Sequence, residues 1–334
     1  MIGLVGCGYW GRNLCRNLYN LGVLRVVCDS SPETLAWVRG EYPSLATTSD
    51  LSEVLADASI QAVAIASPAV SHFQMTKDAL LAGKDVLVEK PLALHEEDGD
   101  ELLRVARERD RVLMVGHLLE YHPAVRKLHG LVREGELGDV RYLLSSRLNL
   151  GKVRQEEDVV WSFAPHDVAV ILRLAGQAPQ EVIASGAAFL QPGIRDVASL
   201  SLQFADGAWG HIMVSWLHPF KEQRLVVVGS RKMAVFDDVS ADRKLVLHDC
   251  GAQVEGGVPQ VRREGTTHVA VEAAEPLRLE CEHFVQCVVS RQHPLTDGES
   301  GLAVLRVLGA ARRSLEAGGA PVPLHGQPVR AQRR

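Results

Sequence analysis

The strongest chemical signal in the sequence is a lysine that directly follows an apolar strand pattern. Val86-Leu87-Val88 leads into Glu89-Lys90-Pro91, and the residue before a proline is biased toward extended geometry. Lys90 is therefore expected where a strand ends, which is the edge at which open parallel sheets bind ligands. Because most lysines are solvated surface charges, this interpretation needs support from elsewhere in the chain.

A glycine-rich turn near the N-terminus gives that support. The strand pattern Ile2–Val5 runs into Gly6-Cys7-Gly8-Tyr9-Trp10-Gly11, and a stretch with helical character follows. In a dinucleotide site Gly6 permits the tight turn, Gly8 lets the backbone approach a pyrophosphate, and Gly11 lets the helix pack closely. Such glycines also occur in ordinary turns, but here strand, turn and helix follow in the required order.

The second strand pattern bears on which dinucleotide binds. Leu24–Cys28 ends in Asp29, 18 residues after Gly11 (29 − 11), close to the roughly 20 expected for the acid that binds the adenosine ribose. A carboxylate repels a 2′-phosphate, and Ser30-Ser31-Pro32-Glu33 contains no arginine to receive one. We therefore predict NAD rather than NADP, although Asp29 could also cap a helix that starts near Pro32.

Composition and charge limit the possible functions. The 334 residues allow two domains, and 46% hydrophobic content can fill substantial cores. A net charge of −5 without a long basic run argues against nucleic-acid binding. No apolar stretch approaches the roughly 20 residues that span a bilayer, and a strand at Ile2 leaves no room for a signal peptide. Six cysteines without metal-ligand spacing predict free buried thiols, no metal and a cytoplasmic protein.

The order of strand and helix patterns predicts an α/β protein of two domains. Strands and helices alternate over residues 1–118, which is typical of a Rossmann doubly wound parallel sheet. Residues 119–334 predict an α+β domain with a large, mostly antiparallel open sheet, one helix over 165–175 and two late helices over 276–290 and 298–317. The strands predicted there are 140–150, 181–189, 198–204, 209–216, 224–228 and 233–237.

Five short motifs occur in an order that spans nearly the whole chain. They are the glycine turn, Ser67-Pro68 followed by His72, Glu89-Lys90-Pro91, Gly116-His117 and Ala164-Pro165-His166-Asp167. Together they resemble the glucose-fructose oxidoreductase, inositol dehydrogenase and MocA family (Gfo/Idh/MocA). The resemblance implies an NAD(P)-binding Rossmann domain, a second domain whose open sheet serves association, and oxidation or reduction of sugars or cyclitols in the cleft between them. The expected NAD-binding residues are Gly6, Gly8, Tyr9, Trp10, Gly11, Asp29, Ser67, Pro68, His72, Glu89 and Lys90.

Three longer segments narrow the resemblance. Residues 147–152, 161–167 and 215–223 are similar to the branch that contains UDP-N-acetylglucosamine 3-dehydrogenases. This implies oxidation of the C3 hydroxyl of a UDP-N-acetylhexosamine to a 3-keto sugar nucleotide, which a pyridoxal-phosphate-dependent aminotransferase would convert to an amino sugar for lipid A-type biosynthesis. The alternatives are a 3-keto sugar reductase, a cyclitol dehydrogenase, an NAD-dependent glycoside hydrolase and a regulator that binds cofactor without catalysis.

Hydride removal from an alcohol needs one group that takes the hydroxyl proton and a second that positions the oxygen. Lys90 and His166 are the candidates, with the two roles left open between them. Pro165 predicts a helix start, where the macrodipole would disfavour a charged imidazole at His166. Many family members have aspartate four residues before this histidine, where this chain has Ser162. Asp167 is a possible substitute, although neighbouring helical residues face different directions.

Basic and aromatic residues of the second domain are candidates for binding the sugar nucleotide, because a diphosphate attracts arginine and lysine. Strand alternation places Arg147 and Asn149 on one face, and Trp216 is more often a core residue than a sugar platform. The full set of expected substrate residues is Lys90, His117, Tyr121, Arg147, Asn149, Lys152, Arg154, Ser162, His166, Trp216, His218 and Lys221. Lys152 and Arg154 are explained equally well as solvated edge charges. A homodimer or homotetramer through the open sheet is expected, because an uncovered face of that size needs a partner.

Overall fold

Residues 1–324 are described by the computed structural model, in which the chain forms two units. Unit 1 comprises Met1–Tyr121 and Ala274–Leu305, and unit 2 comprises His122–Ala273 and residues 306–324. The first boundary lies within a few residues of the predicted one at 118. The prediction that everything after it belongs to the second domain is wrong, because residues 274–305 return to unit 1.

Six short strands form the sheet of unit 1: β1 (Ile2–Val5), β2 (Leu24–Cys28), β3 (Ala46–Thr48), β4 (Ala62–Ile65), β5 (Asp85–Glu89) and β6 (Leu113–Gly116). All neighbours pair in parallel in the order β3-β2-β1-β4-β5-β6. β1, β4, β5 and β6 are buried throughout, as continuous apolar runs in a parallel sheet require. The order reverses between β1 and β4, the switch point at which such sheets bind ligands. This confirms the predicted doubly wound sheet.

Helices cover the strands of unit 1. They are α1 (Gly11–Asn20), α2 (Pro32–Glu41), α3 (Leu51–Ala56), α4 (His72–Leu81), α5 (Glu96–Glu108) and α8 (Pro276–Ser290), with labels that follow chain order. α8 buries Leu277, Cys281 and Phe284 in the same core as Leu14 and Leu18 of α1. This apolar contact explains why the late segment belongs to unit 1.

Unit 2 is built on a nine-stranded sheet. Its strands are β7 (Val140–Leu150), β8 (Glu181–Ala187), β9 (Val197–Gln203), β10 (Trp209–Ser215), β11 (Leu217–Gly229), β12 (Met233–Asp237), β13 (Leu245–Glu255), β14 (Val258–His268) and β15 (Val322–Pro323). They lie in the order β14-β13-β12-β11-β7-β10-β9-β8-β15. Only the β7–β10 pair among these is parallel. The predicted large, mostly antiparallel sheet is confirmed.

The remaining α-helices of residues 1–324 are α6 (Pro123–Arg133), α7 (Val159–Ala175) and α9 (Gly298–Glu316), and two short 3₁₀ helices span Ala69–Ser71 and Leu118–Tyr121. α7 packs on one face of the nine-stranded sheet, where Ile171 lies over Gly210 of β10; a Cβ on this glycine would lie 3.2 Å from the Ile171 methyl group. Within residues 1–324 no helix is both long and apolar enough to cross a membrane.

The start of α7 corrects a prediction that matters for the site. Asp158 caps the helix by accepting hydrogen bonds from the amides of Val160 and Trp161, at 3.1 and 3.3 Å. Pro165 therefore lies inside the helix, and His166 lies beyond the first turn rather than at the N-terminus. The macrodipole acts mainly within the first and last turns, so the expected effect on the His166 imidazole does not apply.

Candidate active site

The glycine turn after β1 has the backbone geometry of a phosphate-binding turn. Gly6 adopts a positive φ of 85°, and a Cβ there would lie 2.7 Å from the Ser67 amide nitrogen. A Cβ on Gly11 would lie 2.2 Å from the Gly6 carbonyl oxygen, so only glycine permits this helix to start here. A Cβ on Gly8 would meet nothing within 4 Å. Gly8 is thus the position where the turn is open to a ligand rather than closed by the protein.

The N-terminus of α1 faces this open position without a competing group of its own. Trp10 occupies the N-cap position and makes no capping hydrogen bond through its side chain, and the first turn carries no acidic residue. The amides of Arg12 and Asn13 donate to the Gly8 and Trp10 carbonyl oxygens, at 3.1 and 2.9 Å, so what the helix start offers a pyrophosphate is its partial positive charge. The residues present therefore fit a dinucleotide.

Asp29 lies at the end of β2, beside the turn. Its carboxylate accepts hydrogen bonds from the amide of Cys7 at 2.7 Å and from the amide of Ser31 at 2.9 Å. The side chain is half-buried, and each carboxylate oxygen keeps a further lone pair for a ribose hydroxyl. Ser31, rather than Asp29, caps α2 by accepting from the amide of Thr34 at 3.1 Å. The alternative capping role of Asp29 is therefore excluded.

Glu89 ends β5 and connects the glycine turn to the lysine. Its carboxylate accepts a hydrogen bond from the indole Nε1 of Trp10 and a longer one, 3.3 Å, from the amide of Lys90. Burial raises the pKa of Glu89 to about 7, although the Trp10 and Lys90 partners oppose this increase. Gly116 of β6 leaves room for the carboxylate, because a Cβ there would lie 2.8 Å from Glu89 Oε2.

Lys90 follows directly at the carboxyl end of β5, as the sequence predicted. It is half-buried, and its peptide bond to Pro91 is cis. His72 braces this segment: its Nδ1 lies 2.7 Å from the Pro91 carbonyl oxygen and its Nε2 lies 2.9 Å from the Ser67 carbonyl oxygen. Burial lowers the pKa of His72. His72 thus joins the loop after β4, which contains Pro68, to the loop after β5. Its side chain is buried, with 1% exposure.

Two expected substrate contacts of unit 1 are buried. His117 is 2% exposed, and burial lowers the pKa of its imidazole to about 4. Tyr121 is 1% exposed, and its hydroxyl lies 3.1 Å from the Thr296 hydroxyl. The expected substrate contact of Tyr121 is therefore corrected, because the ring packs in the core of unit 1 and presents no surface.

Tyr9 differs from these buried residues. It is 92% exposed and Trp10 is 36% exposed, so both rings are accessible at the turn while the Trp10 indole nitrogen points to Glu89. An exposed aromatic ring beside an open glycine turn is available to pack on a bound cofactor.

In unit 2, α7 carries the second catalytic candidate. His166 is half-buried, and Ser162 lies one turn earlier on the same helix with 7% exposure. Asp167 is 5% exposed and accepts hydrogen bonds from the Ser145 hydroxyl at 2.6 Å and from Arg147 Nε at 2.6 Å. Asp167 therefore contacts the sheet, and the possibility that it pairs with His166 in place of an aspartate at 162 is not supported.

Arg147 forms an ion pair with Asp167. Its Nη2 also donates to Asp167, at 3.3 Å, and its side chain is only 13% exposed. The sequence placed Arg147 and Asn149 on one face of β7 as possible contacts of a diphosphate. Arg147 is instead committed to an ion pair inside unit 2. Asn149 Oδ1 is buried and makes no hydrogen bond with the described residues, so this side chain keeps an acceptor for a ligand.

The other basic candidates lie on exposed segments. Lys152 and Lys221 are exposed, and Arg154 is 3.8 Å from Glu157, three residues later in the chain. His218 Nδ1 lies 2.9 Å from the Phe220 carbonyl oxygen. Their exposure is compatible with both ligand binding and simple solvation.

Trp216 is a core residue, which corrects the substrate contact considered for it. It is 0% exposed, its indole Nε1 donates to Asp196 Oδ1 at 2.5 Å, and Phe163 packs edge-on against its ring.

Among the described residues there is also no group of three or more His, Cys, Asp or Glu side chains placed to hold a metal ion.

The sequence did not identify the polar partners behind the candidate residues. Ser145 was missed, although it lies two residues before Arg147 on β7 and therefore shares its face. Glu280 of α8 was missed because its carboxyl group, 0% exposed and without a hydrogen-bond partner among the described residues, lies in a helix with an ordinary apolar pattern. No sequence signal reveals that burial.

Comparisons with known proteins extend over both units. A family model described as an oxidoreductase family with an NAD-binding Rossmann fold matches residues 1–117, and a GFO/IDH/MocA C-terminal domain model matches residues 125–235. The chain is 29% identical over 316 residues to UDP-N-acetylglucosamine 3-dehydrogenase of Acidithiobacillus ferrooxidans, which covers 94% of this chain and 97% of that protein. A solved structure of that enzyme matches with a TM-score of 0.84 at 28% identity, over 95% of this chain and 97% of the other.

Other similar proteins have different substrates or none assigned. A solved structure from Magnetospirillum magnetotacticum, assigned as an oxidoreductase, is 31% identical with a TM-score of 0.80, over 92% of this chain and 98% of that one. Myo-inositol 2-dehydrogenase of Thermotoga maritima is 26% identical over 94% of this chain and 96% of that protein. The similarity therefore establishes the family and the cofactor more firmly than it does the substrate.

Proposed function

The chain belongs to the Gfo/Idh/MocA family of NAD-binding oxidoreductases, and we propose that it oxidises the C3 hydroxyl of UDP-N-acetylglucosamine to a 3-keto sugar nucleotide. The observation that carries the proposal is the similarity to a UDP-N-acetylglucosamine 3-dehydrogenase along almost the full length of both chains. The product would suit a pyridoxal-phosphate-dependent aminotransferase, and the amino sugar so formed would suit lipid A-type biosynthesis.

The glycine turn, the N-terminus of α1 and Asp29 would hold the dinucleotide. The turn offers its open side at Gly8, the N-terminus of α1 offers the pyrophosphate its partial positive charge, and the Asp29 carboxylate is available to the adenosine ribose. Bound NAD would accept the hydride from the sugar carbon. The absence of an arginine in residues 30–33 favours NAD over NADP.

The proton of the hydroxyl group must leave as the hydride does. Lys90 and His166 would share this step, in which one takes the proton and the other donates a hydrogen bond that positions the oxygen. Glu89 would act behind Lys90. Its carboxylate receives the Lys90 amide, and its pKa of about 7 lets it change charge near neutral pH.

Recognition of the sugar nucleotide would use the exposed basic residues of unit 2. Lys152, Arg154 and Lys221 can contact a diphosphate, and Asn149 Oδ1 can accept a hydrogen bond from the ligand. Arg147 is not included, because its guanidinium already pairs with Asp167.

A substrate panel tests the proposal. The purified protein is incubated with NAD and, separately, with UDP-N-acetylglucosamine, other UDP-sugars, glucose and myo-inositol, while NADH absorbance is followed and products are identified by mass spectrometry. Stoichiometric NADH with a product two hydrogens lighter than UDP-N-acetylglucosamine supports the proposal. Turnover of myo-inositol or glucose alone would replace it.

The alternatives predict other outcomes of the same panel. The similarity to a myo-inositol 2-dehydrogenase favours a cyclitol as the second candidate substrate. A glycoside hydrolase would release free sugar without net NADH, because the cofactor is reoxidised in each cycle. A 3-keto sugar reductase would consume NADH in the presence of the ketone, and a regulator would bind NAD without turnover.

We also propose a cytoplasmic homodimer or homotetramer that associates through the open face of the nine-stranded sheet. Trp209 of β10 and Tyr142 of β7 are register partners on the face opposite α7, and they are 51% and 44% exposed. Six free thiols suit a reducing compartment. Light scattering tests the association: Trp209→Glu should lower the mass to that of one chain, whereas a wild-type protein of one-chain mass would refute it.

A further inference from the structure

Helix α7 is weakest immediately before its catalytic candidate. Pro165 lies inside the helix and has no N–H, so it cannot donate to the carbonyl of Trp161 one turn earlier, and its ring crowds that carbonyl. The backbone hydrogen bonds of the helix therefore hold the segment around Pro165 less firmly than an uninterrupted helix would. His166 is the next residue, so a further restraint on the helix at this point bears directly on its position.

That restraint is available one residue further on. Asp167 is 5% exposed and receives three hydrogen bonds from β7: from the Ser145 hydroxyl at 2.6 Å, from Arg147 Nε at 2.6 Å and from Arg147 Nη2 at 3.3 Å. A two-point contact between a guanidinium and a carboxylate fixes direction as well as distance. The ion pair therefore fixes both the rotation and the height of α7 on the sheet at the residue after His166.

Arg147 is itself held on its other side. In the amide orientation of Gln223 that satisfies both groups, the Gln223 oxygen accepts from Arg147 Nη1 at 3.1 Å and the Gln223 nitrogen donates to Asp238 at 3.0 Å. Asp238 also lies 3.4 Å from His122 Nε2. Its hydrogen bond to His122 is the main cause that lowers the pKa of Asp238 to about 2. All three guanidinium nitrogens of Arg147 thus have partners within unit 2, and little of the side chain is left for a substrate.

We propose that Arg147 is a positioning residue for His166, which it holds through its ion pair with Asp167, and that it does not bind the diphosphate of a sugar nucleotide. This inference rests on the proposed function in so far as that function makes His166 a catalytic group. It makes β7 the strand that fixes α7 beyond its proline.

Kinetics separate a positioning role from a binding role. In Arg147→Met we expect kcat to fall on the order of tenfold to a hundredfold, because a small misplacement of a catalytic group has effects of this size, while KM for UDP-N-acetylglucosamine stays within about twofold. Asp167→Asn should give the same pattern. The double variant should be no slower than the slower single variant within about threefold, because both changes break one interaction.

A matched control uses the neighbouring strand. Arg224 of β11 forms an ion pair of 3.1 Å with Asp237 and is more exposed, at 47%. Arg224→Met removes an arginine from the same sheet without touching α7, so kcat should stay at the wild-type value. Should Arg147→Met not fold, Ser145→Ala removes only one hydrogen bond from Asp167 and should lower kcat by a smaller factor with unchanged KM.

A second readout does not depend on turnover. The imidazole resonances of His166, assigned with His166→Gln, should be altered in Arg147→Met and Asp167→Asn alike in the NAD-saturated protein, and unaltered in Arg224→Met. If no sugar nucleotide is oxidised at all, the proposed function fails while this comparison still decides the role of Arg147.

Two results would overturn the inference. One is a large rise in KM for the sugar nucleotide in Arg147→Met with kcat preserved, which is the signature of lost diphosphate binding. The other is an unchanged His166 spectrum in both ion-pair variants while both remain folded. Additive losses of kcat in the double variant would likewise contradict a single shared interaction.

Discussion

The indole nitrogen of Trp10 donates a hydrogen bond to the carboxylate of Glu89, which joins the glycine turn after β1 to the strand end that carries Lys90. The two residues are 79 positions apart in the chain. Because Glu89 also accepts from the Lys90 amide, the glycine turn and the Lys90 backbone share one buried carboxylate. A change at Trp10 should therefore reach the Lys90 segment through Glu89.

Trp10→Phe should move the acidic limb of the pH–rate profile to higher pH. In the wild type we expect kcat/KM to fall as the pH drops through the Glu89 pKa of about 7. The Trp10 hydrogen bond lowers this pKa, so its removal should raise it. Trp37→Phe, on α2, is the control and should leave the profile in place. A shift of this acidic limb to lower pH in Trp10→Phe would show that a group other than Glu89 controls it.

The glycine turn offers a matched pair of substitutions. Gly8→Ala places its Cβ in open space, so thermal stability should be unchanged while NAD binding weakens by about tenfold or more, equivalent to about 1.4 kcal/mol. Gly11→Ala puts a Cβ 2.2 Å from the Gly6 carbonyl oxygen and should instead lower the melting temperature. Calorimetric titration with NAD and thermal unfolding distinguish the two. Unimpaired NAD binding by Gly8→Ala would contradict the assigned role of the turn.

Glu280 should make the protein less stable as the pH rises. Burial, with a further contribution from Glu89, raises the pKa of the Glu280 carboxyl. The native state then keeps a proton that the unfolded chain releases above its ordinary pKa of 4.5, so stability decreases as the pH increases beyond that value. Glu280→Met removes both this loss and a buried carboxyl group that has no hydrogen-bond partner within residues 1–324, and should raise the free energy of unfolding by about 1–3 kcal/mol.

Urea unfolding at about pH 5 and about pH 8 measures this effect, because the gain of the methionine variant should be larger at the higher pH. Glu282→Gln, on the same helix and more exposed, is the control and should show little dependence of its effect on pH. A gain for Glu280→Met that is equal at both pH values would mean that Glu280 already ionises in the native state as it does in the unfolded chain.

Lys90 and His166 should both be required for turnover and dispensable for cofactor binding. Lys90→Met and His166→Gln should each lower kcat by on the order of a hundredfold or more, with the NAD dissociation constant within about threefold of wild type. Lys127 and His95 are both exposed and provide the controls Lys127→Met and His95→Gln. A near-normal rate in His166→Gln would remove that residue from the mechanism.

Local patterns in the sequence were sufficient to predict most of the fold. β7 and α8 occur at the predicted bounds, 140–150 and 276–290, because each carries a pattern of apolar residues that no neighbouring signal disturbs. The glycine turn and the position of Lys90 were also predictable, since both depend on strand ends and on residues nearby in the chain.

The features that the sequence did not predict depend on long-range packing and on helix capping. The assignment of α8 to unit 1 depends on contacts of Phe284 with a core that includes Leu4 and Leu14, which no local pattern encodes. Pro165 suggested a helix start, but the cap at Asp158 begins α7 earlier. The role of Arg147 could not be seen either, because β7 and α7 are separated in the sequence and only the fold brings its guanidinium to Asp167.

The fate of the hydrogen at C3 shows directly whether the enzyme transfers it from the sugar to NAD. UDP-N-acetylglucosamine carrying deuterium at C3 is incubated with NAD and the enzyme, and the reduced cofactor and the sugar nucleotide are analysed by mass spectrometry. We expect reduced cofactor that contains one deuterium and a 3-keto sugar nucleotide that has lost it. Reduced cofactor without deuterium, or no reduction with this substrate, would contradict oxidation at C3.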